Sequence, residues 1–149
     1  MDFLDAIFNN RILWTSILAW FIAQSLKVIH TFIVDKRFNA SRFVGSGGMP
    51  SSHSAFVMGL TTATGKTHGW DSTIFAICLG FSLIVMYDAA GVRNAVGKQA
   101  IILNKVIEGI HHKTEKKVTE QRLKELIGHT PIEVMAGAIL GILIGNFMV

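Results

Sequence analysis

The stretch SGGMPSSHS at residues 46–54 joins glycines, hydroxyl side chains and one histidine to an apolar segment. Either of its central serines is a good N-cap for a helix that begins near the histidine. A glycine-rich turn that leads into a helix presents backbone N–H groups and the positive end of the helix dipole, where phosphate commonly binds. The alternative is a flexible loop that only caps a helix. The residues predicted for this anion site are Gly47, Gly48, Ser51, Ser52 and His53.

A second histidine lies in the segment GHTPIEV. Thr130, Pro131 and Glu133 have the pattern of a capping box, which gives the glutamate a purely structural explanation. His129 also precedes this carboxylate by one helical turn. A carboxylate that holds one imidazole nitrogen fixes the tautomer and leaves the other nitrogen available for attack. The residues alone leave both interpretations open and favour the cap.

Three cations could neutralise a bound phosphate, namely Lys27, Arg42 and Arg93. Lys27 lies far from the end of an apolar helix, so an inward role is favoured over snorkelling. For the two arginines, anchoring at the cytosolic surface is the alternative. Asp88 could orient Arg93 or a histidine, or bind a divalent cation. No second carboxylate stands at metal-ligand spacing, so we expect no metal and no cofactor.

The composition indicates an integral membrane protein. Half of the 149 residues are apolar and 16% are charged, whereas soluble domains carry about 25% charged residues. The net charge of +4 suits anionic lipid headgroups, and no basic-aromatic interleaving suggests a nucleic-acid partner. Cys78 is the single cysteine, which excludes an internal disulfide. The N-terminus lacks the basic region of a cleavable signal peptide.

These residues must be positioned by a single domain, residues 1–149, with an all-α fold. We predict a bundle of about four membrane-embedded helices plus a short amphipathic helix in the polar stretch at roughly 104–128. The second apolar segment is too short to span alone, so we expect it to pack inside the bundle. The glycines Gly137, Gly141 and Gly145 recur every four residues, a pattern that lets another helix approach closely and that could also join copies of the chain. The four apolar segments cover residues 12–34, 54–65, 72–87 with a helical continuation, and 131–149.

This topology brings the chemical groups together. With four crossings, the two basic loops lie on one side, which the positive-inside rule makes cytosolic. The anion loop, Asp88, Arg93, His129 and Glu133 then share one membrane face despite their separation in sequence. We therefore predict that both histidines reach the same site.

Three strings, GGMPSSHSA, IVMYDAAGVRNAVGKQAIILN and LKELIGHTPIEVMAGAILGI, resemble the divergent PAP2 family of small bacterial membrane proteins. The resemblance extends from about Trp14 to the end of the chain. That family is distantly related to type 2 phosphatidic acid phosphatases and vanadium haloperoxidases. In the broader superfamily, one signature histidine attacks phosphorus and becomes a phosphohistidine, another protonates the leaving oxygen, and lysine and arginine hold the phosphate.

The resemblance implies roles at the second and third signatures. His53 matches the general acid of the Pro-Ser-Gly-His signature, and Ser52 replaces its glycine. His129 matches the nucleophile, and Glu133 stands in place of the aspartate. Arg93 is the best candidate for the third-signature arginine, although 35 residues separate it from His129 where the superfamily has five.

The first signature is less well matched. Either Lys27 or Lys36 corresponds to its lysine, and Arg42 corresponds to its arginine, but phenylalanine follows where the superfamily has proline.

The leading hypothesis is a membrane phosphatase of the acid-phosphatase type that acts on a lipid phosphate or pyrophosphate through a phosphohistidine, at the cytosolic face of the cell membrane. Its partners would be that substrate and membrane lipids. One alternative is a non-catalytic membrane protein that binds or transports a phosphorylated ligand. Another is a scaffold that meets a partner through the basic stretch between Lys113 and Lys124.

Overall fold

The computed structural model describes residues 2–35, 48–111 and 128–149. Within these ranges the secondary structure consists of six helices, and no strand is present. The predicted all-α class is therefore confirmed. The helices are α1 (Phe3–Phe8), α2 (Arg11–Asp35), α3 (Ser52–His68), α4 (Thr73–Ala90), α5 (Val92–His111) and α6 (Pro131–Met148).

Three helical stretches are long and apolar enough to cross a membrane: Arg11–Ile33, Thr73–Ile107 and Pro131–Met148. Their outward surfaces carry many exposed large apolar side chains, as a lipid-facing surface requires. The helical continuation predicted beyond residue 87 is present as α5, which begins directly after a break at Gly91. The predicted amphipathic helix at 104–128 overlaps the end of α5, and its remainder lies outside the described residues.

Helix α3 occupies the centre of the molecule and packs against α2, α4 and α6. At about 1.5 Å per residue, its 17 residues measure about 26 Å. Its hydroxyl groups are satisfied inside the protein, since the Thr61 and Ser82 hydroxyls lie 2.7 Å apart and Ser82 donates to the Val57 carbonyl. The prediction that this short segment packs inside the bundle agrees with its position.

The glycine stripe of α6 faces α3 within the same chain. A Cβ at Gly137 would collide with the Ser51 carbonyl oxygen, and one at Gly141 would collide with the Ala55 carbonyl oxygen. Gly145, the third member, is buried as well. The stripe therefore lets α3 approach α6 closely inside one molecule. A contact between copies of the chain stays a prediction.

Helices α2 and α6 run in opposite directions, whereas α3 and α6 start at the same end of the bundle. At one end of the bundle, the Arg11 guanidinium donates to the Met148 carbonyl at 2.8 Å, so the start of α2 lies beside the end of α6. At the other end, the Ser51 N–H donates to the Glu133 carbonyl at 3.0 Å. The starts of α3 and α6 therefore meet the end of α4 at one face, and this face holds the candidate site.

Candidate functional site

The backbone around His129 is fixed against the junction of α4 and α5. The His129 N–H donates to the Ala89 carbonyl at 3.1 Å, and the Asn94 side-chain amide donates to the His129 carbonyl at 2.8 Å. A Cβ at Gly128 would collide with the Asn94 backbone, so only glycine allows this close approach. Gly128 and Asn94, to which the sequence analysis gave no role, thus determine where His129 lies.

Glu133 binds His129 and caps α6 at the same time. His129 Nδ1 lies 3.0 Å from Glu133 Oε2, and the same oxygen accepts from the Thr130 N–H at 3.2 Å. The capping box is complete, since the Glu133 N–H donates to the Thr130 hydroxyl. Glu133 therefore acts both as the cap of α6 and as the hydrogen-bond partner of His129. Because an ionised carboxylate only accepts, Nδ1 must carry the proton, and the neutral ring then has its lone pair on Nε2.

His129 Nε2 is buried and has no hydrogen-bond partner among the described residues. The His129 side chain is only 3% exposed. Buried polar atoms are rarely left without a partner unless a ligand, a water molecule or chemistry uses them. The lone pair of Nε2 is therefore available to a ligand or to chemistry.

The pKa of His129 lies below its usual value of 6.5. Burial is the main cause, because it disfavours the charged ring, and the nearby Lys27 acts in the same direction. The hydrogen bond and charge of Glu133 oppose this shift, and so does the Gly48 backbone, which lies near the ring but outside hydrogen-bond geometry with Nε2. The net result is an imidazole that is neutral, and hence nucleophilic, at neutral pH.

His53 lies in the first turn of α3 and keeps an exposed edge. Its pKa is lowered first by partial burial of the ring, and then by the positive charges of Arg93, His129 and Lys27. Charge effects of this kind fall off with distance and solvent screening. The structure thus brings the two histidines and two of the three predicted cations to one place.

Lys27 reaches the anion loop from inside the protein. The residue is 1% exposed, which removes the snorkelling interpretation. A Cβ at Gly48 would lie 3.4 Å from Lys27 Cγ, so the lysine stem runs directly beneath this glycine. Gly48 has a φ of 88°, a backbone conformation that favours glycine. The loop and the lysine are therefore packed against each other.

Arg93 is oriented by Asp88. The Arg93 Nε donates to Asp88 Oδ2 at 2.6 Å, and the two side chains are 49% and 40% exposed. An ion pair this exposed contributes little to stability. Its effect is to hold the arginine side chain through Nε, a contact that does not use the two terminal nitrogens. Of the options considered for Asp88, the structure selects the arginine.

Ser51 and Ser52 are both buried where α3 begins. The Ser51 hydroxyl accepts from the Ser54 N–H at 3.4 Å and from the Ser54 hydroxyl at 3.0 Å. It therefore forms the N-cap, and the backbone N–H groups of Ser52 and His53 are the ones that a helix start leaves available for an anion.

Arg42, Lys36 and Gly47 lie outside the described residues, so their predicted roles stay predictions.

Lys98 was not among the predicted site residues, yet it lines a small cavity of about 180 Å³ together with Gly48, Asn94, Thr130 and Glu133. Its spacing of four residues from Asn94 along α5 is the signal that could have identified it.

Comparisons with known proteins agree with this architecture. The family model described as the divergent PAP2 family matches residues 8–144. The chain is 40% identical over 147 residues to the uncharacterized membrane protein YuiD of Bacillus subtilis (strain 168), and the match covers 93% of each chain. No solved structure matches the chain. The chain therefore belongs to the divergent PAP2 family, which confirms the resemblance seen in its motifs, and it is a membrane protein.

Proposed function

We propose that this member of the divergent PAP2 family is a membrane-embedded phosphatase that hydrolyses a lipid phosphate or pyrophosphate through a phosphohistidine intermediate. The observation that carries the proposal is the His129 imidazole. Glu133 holds its Nδ1, and its Nε2 is buried without a hydrogen-bond partner among the described residues. Lys27, His53 and Arg93 supply positive charge and a proton donor around it.

In the first step, His129 Nε2 attacks phosphorus. A bond forms between Nε2 and phosphorus, and the bond from phosphorus to the ester oxygen breaks. The protonated His53 ring gives its proton to the departing oxygen, so the alcohol leaves neutral. Glu133 stabilises the positive charge that develops on the His129 ring as the new bond forms.

In the second step, water attacks the phosphohistidine. His53, now neutral, accepts a proton from the water as the new phosphorus–oxygen bond forms. The bond between phosphorus and Nε2 breaks, and its electron pair returns to the His129 ring. Inorganic phosphate is released, and both imidazoles recover their starting protonation.

The cations stabilise the phosphate oxygens during both steps. Lys27 is buried beside the loop, where low solvent access strengthens its attraction for a dianion. Arg93 offers a planar pair of donors from a more exposed position. Arg42 is the third proposed phosphate ligand on the basis of the family resemblance. Because the sequence is rich in lysine and arginine at 35–52 and 93–130, the positive-inside rule leads us to place this face on the cytosolic side of the cell membrane.

The mechanism has a consequence for pH. Catalysis requires a neutral His129 and a protonated His53. The rise of kcat/KM with pH follows deprotonation of His129, and because the pKa of His129 is lowered, this rise occurs at lower pH than for an ordinary histidine. The fall of kcat/KM with pH follows deprotonation of His53, and because the pKa of His53 is lowered, this fall also occurs at lower pH. The optimum of kcat/KM is therefore expected below pH 6.5, the usual histidine value.

The proposal is tested by phosphate release from a panel of glycerolipid and prenyl phosphates, using purified protein in detergent. His129→Ala and His53→Ala should each abolish release, whereas His68→Ala, at the opposite end of α3, should not. Absence of release from every substrate, together with binding of vanadate, would instead favour a non-catalytic protein that binds or transports a phosphorylated ligand. Release that survives His129→Ala would remove the mechanism.

A further inference from the structure

An apolar groove runs between α2 and α6 beside the candidate site. Its volume is about 480 Å³, within the range of about 300–1,000 Å³ that small ligands occupy. His30 is the one polar side chain among the described residues that line it. We call it the α2–α6 groove, and its lining includes Leu26, Ile29, Met49, Pro50, Ala136 and Leu143.

We propose that the α2–α6 groove holds the hydrocarbon chain of the phosphorylated substrate and so selects lipid phosphates by their chain. This inference rests on the proposed phosphatase function. It identifies a subsite for the part of the substrate that does not react. The occupant is the chain of the same molecule whose phosphate meets His129.

The loop that carries the anion site also forms one wall of the groove. Gly48 faces Lys27 and the His129 ring, whereas the next two residues, Met49 and Pro50, line the groove. The Ser51 N–H then binds the Glu133 carbonyl and fixes the loop on α6. Only one or two residues of backbone therefore separate the polar compartment from the apolar one. An ester oxygen above this loop can keep its phosphate on one side and its chain on the other.

The groove has the direction and the chemistry that a lipid chain requires. The groove extends along α6 from Ala136 to Leu143, a length of about 10 Å at a rise of about 1.5 Å per residue. Its two helical walls, α2 and α6, are candidate spans, so a chain that enters sideways from the bilayer would meet the groove between two membrane-crossing helices. The described part of its lining has no carboxylate, lysine or arginine, and such apolar walls suit a hydrocarbon chain better than a phosphate.

Lipid is as apolar as the groove, so the groove gains little by the hydrophobic effect and acts mainly by positioning. Its influence should therefore appear in turnover of chain-bearing substrates relative to a chainless one. The measurement is kcat/KM for dodecyl phosphate divided by kcat/KM for phenyl phosphate, in identical detergent. Ala136→Phe, which fills the groove, should lower this ratio about tenfold, the effect of one misfitting group in an apolar pocket.

Ala76→Phe is the matched control, because Ala76 is an exposed residue of α4 outside the groove. It should leave the ratio unchanged. If Ala136→Phe does not fold, Leu143→Trp, at a half-exposed position farther along the groove, serves as the second filling variant. An unchanged ratio in the filling variants, or an equal fall in Ala76→Phe, would overturn the groove assignment and leave the phosphatase proposal intact.

A second experiment does not require turnover. Wild-type protein is irradiated with a dodecyl phosphonate that carries a photoreactive diazirine in its chain. Crosslinks should map to α2–α6 groove residues such as Leu26 and Ile29 and should fall when vanadate occupies the phosphate site. Crosslinks spread equally over the exposed apolar face of α4, or groove crosslinks that vanadate does not reduce, would mean that ordinary bilayer lipid fills the groove. If no substrate is hydrolysed, the crosslinking pattern still tests whether the groove binds the chain, independently of the failed phosphatase proposal.

Discussion

The substitution Glu133→Gln separates the two functions of this side chain. A glutamine at the third helical position still satisfies the capping box, because its amide oxygen can accept from the Thr130 N–H. The hydrogen bond to His129 Nδ1 loses its charge. We therefore expect the fold to survive and the nucleophile to be weakened.

The size of the effect follows from the hydrogen bond of 3.0 Å between His129 Nδ1 and Glu133 Oε2. A hydrogen bond to a charged group contributes about 1.5–3 kcal/mol and a neutral one about 0.5–1.5 kcal/mol. The loss of about 1–2 kcal/mol corresponds to a fall in rate of about 5- to 30-fold. A glutamine can also turn its NH₂ toward Nδ1 and select the wrong tautomer, a change that costs about 10⁴-fold in kcat in the serine protease triad. We therefore expect kcat to fall by about 5-fold if the amide oxygen faces Nδ1, and by up to about 10⁴-fold if the NH₂ group does.

The assay is steady-state phosphate release, with thermal unfolding in the same detergent. Thr130→Ala is the matched control, because it removes the cap hydroxyl and leaves the carboxylate beside His129. It should lower the free energy of unfolding by about 1 kcal/mol and change kcat little. If Glu133→Gln keeps its kcat within about twofold of wild type, or if Thr130→Ala lowers kcat as strongly, the catalytic role of the carboxylate is wrong.

Three further perturbations test other parts of the account. Arg93→Gln removes the charge that contributes most to lowering the pKa of His53. The alkaline side of the kcat/KM profile should therefore move to higher pH, even as the maximum falls. An alkaline side that does not move would show that His53 is not the acid. Gly137→Ala forces a Cβ against α3 and should lower the free energy of unfolding by about 1–3 kcal/mol, whereas Gly80→Ala, where a Cβ meets nothing within 4 Å, should not. Lys27→Gln should weaken inhibition by inorganic phosphate by about tenfold or more, since it removes a charged donor beside the loop; unchanged inhibition would exclude Lys27 as a phosphate ligand.

Much of the architecture could be predicted from local patterns. Apolar stretches of spanning length gave α2, α4 and α6, and the Thr-Pro-x-Glu pattern gave the start of α6 with its cap. The parity of the crossings then placed residues from distant segments at one face. A shared site for His53 and His129 could therefore be predicted from the sequence, because it depends on topology and not on side-chain geometry.

Other features depend on which surfaces meet, and a single sequence does not encode that locally. The spacing of Gly137 and Gly141 signals a close approach but not whether the approaching helix comes from the same chain, and here it is α3. Likewise, Gly128 and Asn94 lie far apart in sequence, and their contact exists only because the segment before α6 crosses the start of α5.

The central claim is that His129 Nε2 forms a bond to phosphorus. The most direct measurement uses His53→Ala and radiolabelled p-nitrophenyl phosphate, whose leaving group needs no proton. Without His53 to activate water, the second step should be slow, so label should accumulate in an acid-labile form on the peptide that contains His129. Release of labelled phosphate with no labelled protein, or label on any other residue, would contradict the account.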